Sequence, residues 1–204
     1  MITMLLELLG VIAGLLLLSS SIPQLREALT QGAEGVSIGT WALFLASASV
    51  WTAYGTHIQS AATIIANIGG IVTFGLLVAT LLRLRTGKAA WMLAVPVGVA
   101  GLVGTGLALP TAVVGWIGVA VGCSIALPQL AVSWRRRDEP TKVSVGAWTL
   151  VISGQSLWLV YGLLRPDVPI TVVNLVALTA GIGVLTLALR GQRRDRDAGS
   201  TARG

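Results

Sequence analysis

Trp51 and Asn67 stand sixteen residues apart, and Trp158 and Asn174 repeat that spacing. An indole offers a flat apolar face, and a carboxamide offers both a hydrogen-bond donor and an acceptor. Set at one depth around a cavity, two such pairs would hold a ring with C–H faces and a hydroxylated edge. The rings would stack on those faces and the amides would bond at the equator. Other chemistries lack parts. His57 and Cys123 are each the sole residue of their type, too few for a metal site or a nucleophile with its base. A single cysteine forms no intrachain disulfide, and Cys123, inside an apolar run, reads as a small buried hydrophobe. No metal and no cofactor are expected.

The elements that must position these side chains are membrane helices. The 204 residues are 54% apolar and 11% charged, with mean hydropathy +0.84, whereas soluble domains carry about 25% charged residues. Runs bounded by charge, proline or polar clusters predict seven spans: 4–29, 36–55, 58–82, 89–108, 111–134, 143–164 and 168–190. Each is near the ~20 residues that cross about 30 Å of hydrocarbon. Thirteen of the fourteen Lys and Arg fall at or beyond the C-terminal ends of spans one, three, five and seven, and Arg165 alone lies on the other side. The positive-inside rule then puts the N-terminus outside and the C-terminus in the cytoplasm. The net charge of +6 is thereby a topology signal and implies no nucleic acid. The opening MITMLLELLG lacks the basic n-region of a cleavable leader. Residues 191–204, short and charged, are expected to form a disordered cytoplasmic tail.

The chain also repeats itself. Pro23-Gln24-Leu25 returns as Pro128-Gln129-Leu130 at an offset of 105. Beyond the next loop the offset is 107: Val36-Ser37 matches Val143-Ser144, Trp41 matches Trp148, Trp51 matches Trp158, Tyr54-Gly55 matches Tyr161-Gly162 and Asn67 matches Asn174. Such periodicity decides the architecture. Each unit is three spans, and both carry their basic loops on the same side, so they are parallel. Two parallel triplets need an odd number of spans between them, and the unmatched fourth span supplies it.

W-x-x-Y-G followed by Asn, twice, with Pro-Gln-Leu upstream each time, resembles the SWEET and SemiSWEET transporters of the PQ-loop superfamily. Over residues 4–190 the resemblance implies two three-helix PQ-loop bundles, 4–82 and 111–190, joined by an inversion helix at 89–108. It implies a passive, bidirectional sugar uniporter working by alternating access, multi-pass in the cell (plasma) membrane. The partners are then the lipid bilayer and a small sugar, mono- or disaccharide, and a homo-oligomer is allowed. At matching positions it implies that Trp51, Asn67, Trp158 and Asn174 bind substrate and that Ser19, Ser47, Ser124 and Gly154 also line the pocket. The Ser47/Gly154 pair would make the pocket asymmetric. Pro23-Gln24 and Pro128-Gln129 would be hinges, and Tyr54 and Tyr161 an outer gate.

Taken without the resemblance, several of these residues have a second use. A mid-membrane asparagine can glue helices together for ~1 kcal/mol. A tryptophan can belong to an interfacial belt, a role that suits Trp91 or Trp116, and a tyrosine can simply anchor there. A proline can be a static kink, its freed backbone satisfied by a nearby hydroxyl such as Ser19 or Ser124. The missing residues bear on function. Apart from Arg26, Glu27 and Arg190 at the cytoplasmic span ends, no Asp, Lys or Arg lies within a span, and Glu7, near an outer end, is the only other acid there. That disfavours a proton-coupled amino-acid transporter of the same superfamily, which needs a titratable relay. A non-transporting cargo receptor of related fold would want charged recognition residues. Single cysteines near His57, Pro110 and Asp167 should label from outside, and those near Gly87 and Glu139 from inside. Outside labelling at Glu139 would show that spans four and five are miscounted.

Overall fold

The computed structural model describes residues 2–31, 37–135, 137 and 144–201, with side chains for 2–22, 37–135, 137 and 144–194. It contains α1 (Ile2–Gln31), α2 (Ile38–His57), α3 (Ala61–Thr86), α4 (Trp91–Ala108), α5 (Thr111–Arg135), α6 (Val145–Leu164) and α7 (Val168–Thr201). These are the seven apolar runs, and their ends have local causes. Ser37 and Ser144, the repeat-matched serines, cap α2 and α6 by accepting from the N–H groups of Thr40 (3.2 Å) and Ala147 (3.3 Å). Ser60 does the same for α3 through Thr63 N–H at 3.1 Å. Asp167 starts α7, its Oδ1 accepting from Ile170 N–H at 2.9 Å. Helix α3 stops at Gly87, whose φ of 69° suits a residue without Cβ.

The helices pack as two triplets. In the first, α1 and α2 both lie on α3; in the second, α5 and α6 both lie on α7. The triplets meet through α1 on α6 and α2 on α5, contacts that exchange when the triplets are interchanged. Helix α4 lies outside this symmetry, against α2 and α3.

Six helices are long and apolar enough to cross a membrane, with mean hydropathy from 1.3 to 2.3 in their best windows. The exception is α2, and its surroundings explain why. Helices α3, α4 and α5 pack around it, so it meets little lipid. Its hydroxyls are satisfied on its own backbone: Ser49 donates to the Leu45 carbonyl (2.9 Å), Thr52 to that of Ala48 (2.8 Å) and Thr56 to that of Thr52 (3.0 Å). A helix enclosed by helices can be less apolar than one facing hydrocarbon.

One expectation is corrected. Helix α7 does not give way to a disordered tail at 191 but continues to Thr201. Gln, Arg and Asp are compatible with a helix, no proline intervenes, and Arg194 reaches back to the Arg137 carbonyl beyond α5 (3.4 Å).

The α1–α6 contact depends on Gly154. A Cβ there would lie 2.8 Å from Leu17 Cγ and 3.0 Å from the Ala13 carbonyl oxygen, while a Cβ at Gly146 in the same helix would meet nothing within 4 Å. Overpacking of this kind typically costs about 1–3 kcal/mol. Gly154→Leu should therefore lower the thermal unfolding midpoint of the detergent-solubilised protein by several degrees and Gly146→Leu should not. Equal midpoints would remove the packing argument.

Candidate functional site

Between the triplets lies a cavity of about 600 Å³, within the size range of small-molecule sites. Trp51 of α2, Asn67 of α3, Trp158 of α6 and Asn174 of α7 all line it. Each asparagine donates from Nδ2 to the carbonyl four residues earlier on its own helix, Asn67 to Thr63 (2.8 Å) and Asn174 to Ile170 (2.7 Å). Among the described residues neither bonds across to another helix. The amide oxygen and the second N–H of each are left for whatever fills the cavity. The indoles are held edge-on by the neighbouring tyrosines: Trp51 against Tyr54 at 5.4 Å and 87°, Trp158 against Tyr161 at 5.1 Å and 75°. Gly118 makes room for the first ring, since a Cβ there would stand 2.9 Å from it.

One end of the cavity is closed by two latches that cross between the triplets. The Tyr54 hydroxyl donates to the Asp167 carboxylate, at 3.1 Å to Oδ1 and 2.9 Å to Oδ2. The Tyr161 hydroxyl lies 2.6 Å from Ser60 Oγ and 3.1 Å from Glu7 Oε1. Ser60 and Asp167 differ by the repeat offset of 107, so each tyrosine bonds the residue that starts the third helix of the opposite triplet. Arg165 reinforces the second latch. It donates to Glu7 Oε1 (2.5 Å), the Tyr161 hydroxyl (3.0 Å) and the Ile58 carbonyl (2.5 Å). The other oxygen of Glu7 accepts from Ala62 N–H at 2.6 Å. Both tyrosines are buried, 4% and 0% exposed. At the opposite end the lining residues Thr40, Pro128 and Gln129 are exposed. This conformation is closed on the tyrosine side and open on the other.

Ser47 and Ser124 line the cavity; Ser19 and Gly154 do not. Ser19 is exposed on the outer surface of α1, and Ser20 and Ser21 line instead. One residue turns a helix by about 100°, enough to move a hydroxyl from wall to exterior. Gly154 is buried behind the wall against Leu17, and its neighbour Gln155 lines. The Ser124 hydroxyl bonds the Ala120 carbonyl (2.8 Å), upstream of the carbonyl that Pro128 frees. Pro128 lies inside α5, and Pro128 and Gln129 both line the cavity. The side chains of Pro23 and Gln24 lie outside the described residues.

Sequence reasoning missed Gln155, the mouth residues Trp41 and Trp148, and the latch partners Glu7, Ser60, Arg165 and Asp167. Two signals were present. Trp41 and Trp148 match in the repeat, and from Trp41 through Phe44 and Ala48 to Trp51 the steps of three, four and three trace one helix face. Arg165 was the lone Lys or Arg on its side.

No family model matches the chain. An uncharacterized protein of Methanocaldococcus jannaschii is 34% identical over 82 residues, 40% of this chain and 87% of that protein. The sugar transporter SemiSWEET of Bradyrhizobium diazoefficiens is 38% identical over 48 residues, 24% of this chain and 56% of the relative. A solved eukaryotic SWEET transporter superposes with a TM-score of 0.74, covering 94% of this chain and 97% of that one at 18% identity. The chain shares the fold of that SWEET transporter and a stretch of sequence similarity with SemiSWEET. Its fold is the seven-helix SWEET fold, in a multi-pass integral membrane protein.

The two latches differ in redundancy. Tyr54→Phe removes the only hydrogen bonds between Tyr54 and Asp167, whereas Tyr161→Phe leaves the Glu7–Arg165 bridge joining the same elements. A hydrogen bond to a charged acceptor is worth about 1.5–3 kcal/mol. With Cys123 replaced by Ala and Ala177→Cys as reporter on the cavity wall, Tyr54→Phe should raise labelling by an impermeant maleimide from the tyrosine side about tenfold. Tyr161→Phe should raise it less. Unchanged rates in both would mean that the hydroxyls do not hold this end shut.

Proposed function

We propose that the chain is a passive, bidirectional sugar uniporter of the cell membrane, working by alternating access with its N-terminus outside and its C-terminus in the cytoplasm. The cavity carries this reading: two indoles and two asparagine amides converge there between the triplets, sealed on the tyrosine side and reachable from the other. An aldose or ketose ring offers C–H faces to the indoles and hydroxyls to the amides. The relative named as a sugar transporter supports the substrate class, and a transporter rather than an enzyme. Orientation follows from the thirteen basic residues at the proline end and in the tail.

In the cycle, sugar binds from the open side between Trp51 and Trp158. The triplets then rock so that the mouth closes and the tyrosine latches part. Pro128-Gln129, and Pro23-Gln24 in the matching place, act as the hinges, because a proline removes a backbone bond that an unbroken helix would have to break in bending. Asn67 and Asn174 hold the hydroxyls throughout.

Energetics support facilitated rather than driven transport. Among the described residues, none that lines the cavity is Asp, Glu, Lys, Arg or His. Glu7 is engaged at the closed end by Arg165, Tyr161 and the Ala62 N–H. A proton-coupled amino-acid transporter would need a titratable relay, and a cargo receptor would need charged recognition groups; the cavity wall offers neither.

In proteoliposomes, wild-type flux of labelled sugar should follow the sugar gradient in either direction and ignore an imposed pH gradient or potential. Asn67→Ala and Asn174→Ala should each lower sugar affinity about tenfold to a hundredfold, since an orphaned buried hydroxyl costs roughly 1–3 kcal/mol. Trp51→Ala and Trp158→Ala should act similarly. Uphill accumulation driven by protons and abolished by Glu7→Gln would replace the uniporter with a coupled transporter.

A further inference from the structure

Gln155 stands on the cavity face of α6 between Val151 and Trp158. It lies three residues, about 4.5 Å along the axis, from the indole toward the open mouth. Its Oε1 is buried with no hydrogen-bond partner, the one side-chain oxygen or nitrogen in that condition among the described residues. The other polar side chains here behave differently. Asn67, Asn174, Ser20 and Ser124 each donate to a carbonyl of their own helix. The twofold mate of Gln155, at the offset of 107, is Ala48, a methyl on the matching wall of α2.

A buried carbonyl oxygen without a donor is costly to keep, and native proteins keep few of them. The terminal torsion of glutamine is broad, so the carboxamide can turn its oxygen into the cavity that the side chain already lines. Once there it presents a donor beside an acceptor, the complement of two neighbouring hydroxyls. The open mouth alone does not explain the buried position of this oxygen, because a group satisfied by solvent would stand exposed to it.

We propose that Gln155 is a specificity-determining residue: its carboxamide turns inward and reads hydroxyls at the end of the sugar away from the tyrosine latches. Ala48 offers no hydrogen bond opposite. A pocket of true twofold symmetry would accept a sugar in either of two orientations, whereas Gln155 selects the one that places hydroxyls on α6. This role presupposes the sugar transport proposed above and adds a tier to it.

The test uses the full chain in proteoliposomes, with glucose, galactose, fructose and sucrose as probes and monodeoxy analogues of the hexose that is carried best. Gln155→Leu should raise KM for that hexose about tenfold with little change in maximal rate. One deoxy analogue should lose the same factor in wild type and nothing further in the variant, a signature that a merely structural glutamine would not give. Gln155→Met, unbranched, serves as a second variant should leucine disturb folding, which gel filtration and thermal unfolding report. If wild type carries the sugars and both variants match it, or if the variants lose the same factor against every deoxy analogue, the Gln155 assignment falls and the uniporter stands. If wild type carries none of the probes, the uniporter falls and takes the assignment with it.

Discussion

Inside a bilayer a polar group has no water to fall back on, and this constraint organises the molecule. Every serine and threonine hydroxyl on α2 bonds backward along its own helix or lies on the cavity wall. The asparagines spend one N–H on their helix and turn the rest of the amide to the cavity. Glu7 is tolerated because an arginine, a tyrosine and a backbone N–H converge on it. The cavity is thus the place where polarity is allowed to remain unspent.

Duplication doubles the parts without making them identical. The same offset that pairs the tryptophans pairs Ser60 with Asp167, so one latch ends on a neutral hydroxyl and the other on a carboxylate. The neutral one is backed by the Glu7–Arg165 ion pair, which has no repeat counterpart because Ala112 and Ile58 occupy the matching positions. One latch thus holds a single carboxylate and the other an ion pair. The mouth diverges as well: Trp41, Phe44 and Phe74 form an aromatic cluster with centroids 5.4–5.7 Å apart, and their mates are Trp148, Val151 and Gly181.

Features set by composition and period could be read from the chain. Spans follow from hydropathy, and parallel triplets from loop charge and offset. The Trp–Asn pairs follow from a spacing that occurs twice. Features set by rotation about a helix axis could not. Ser19 and Ser20 are equivalent in composition and opposite in direction, and Gly154 and Gln155 exchange wall and backing in the same way. The latches were illegible for another reason. Tyr54 and Asp167 are 113 residues apart, and nothing local in either segment names the other. The helical tail shows the limit of composition: charge marks a segment that will not enter lipid, but not one that will not coil.

The ion pair between Glu7 and Arg165 joins residues 158 apart in the chain, which has a consequence for biosynthesis. Chains are made and inserted from the N-terminus, so the carboxylate on α1 enters the membrane long before its cation exists. Until α6 emerges, Glu7 has only the Ala62 N–H from its own triplet, and Ser60 lacks Tyr161. The first triplet is therefore born with an unfinished edge, and its lid is supplied by the half of the protein translated last.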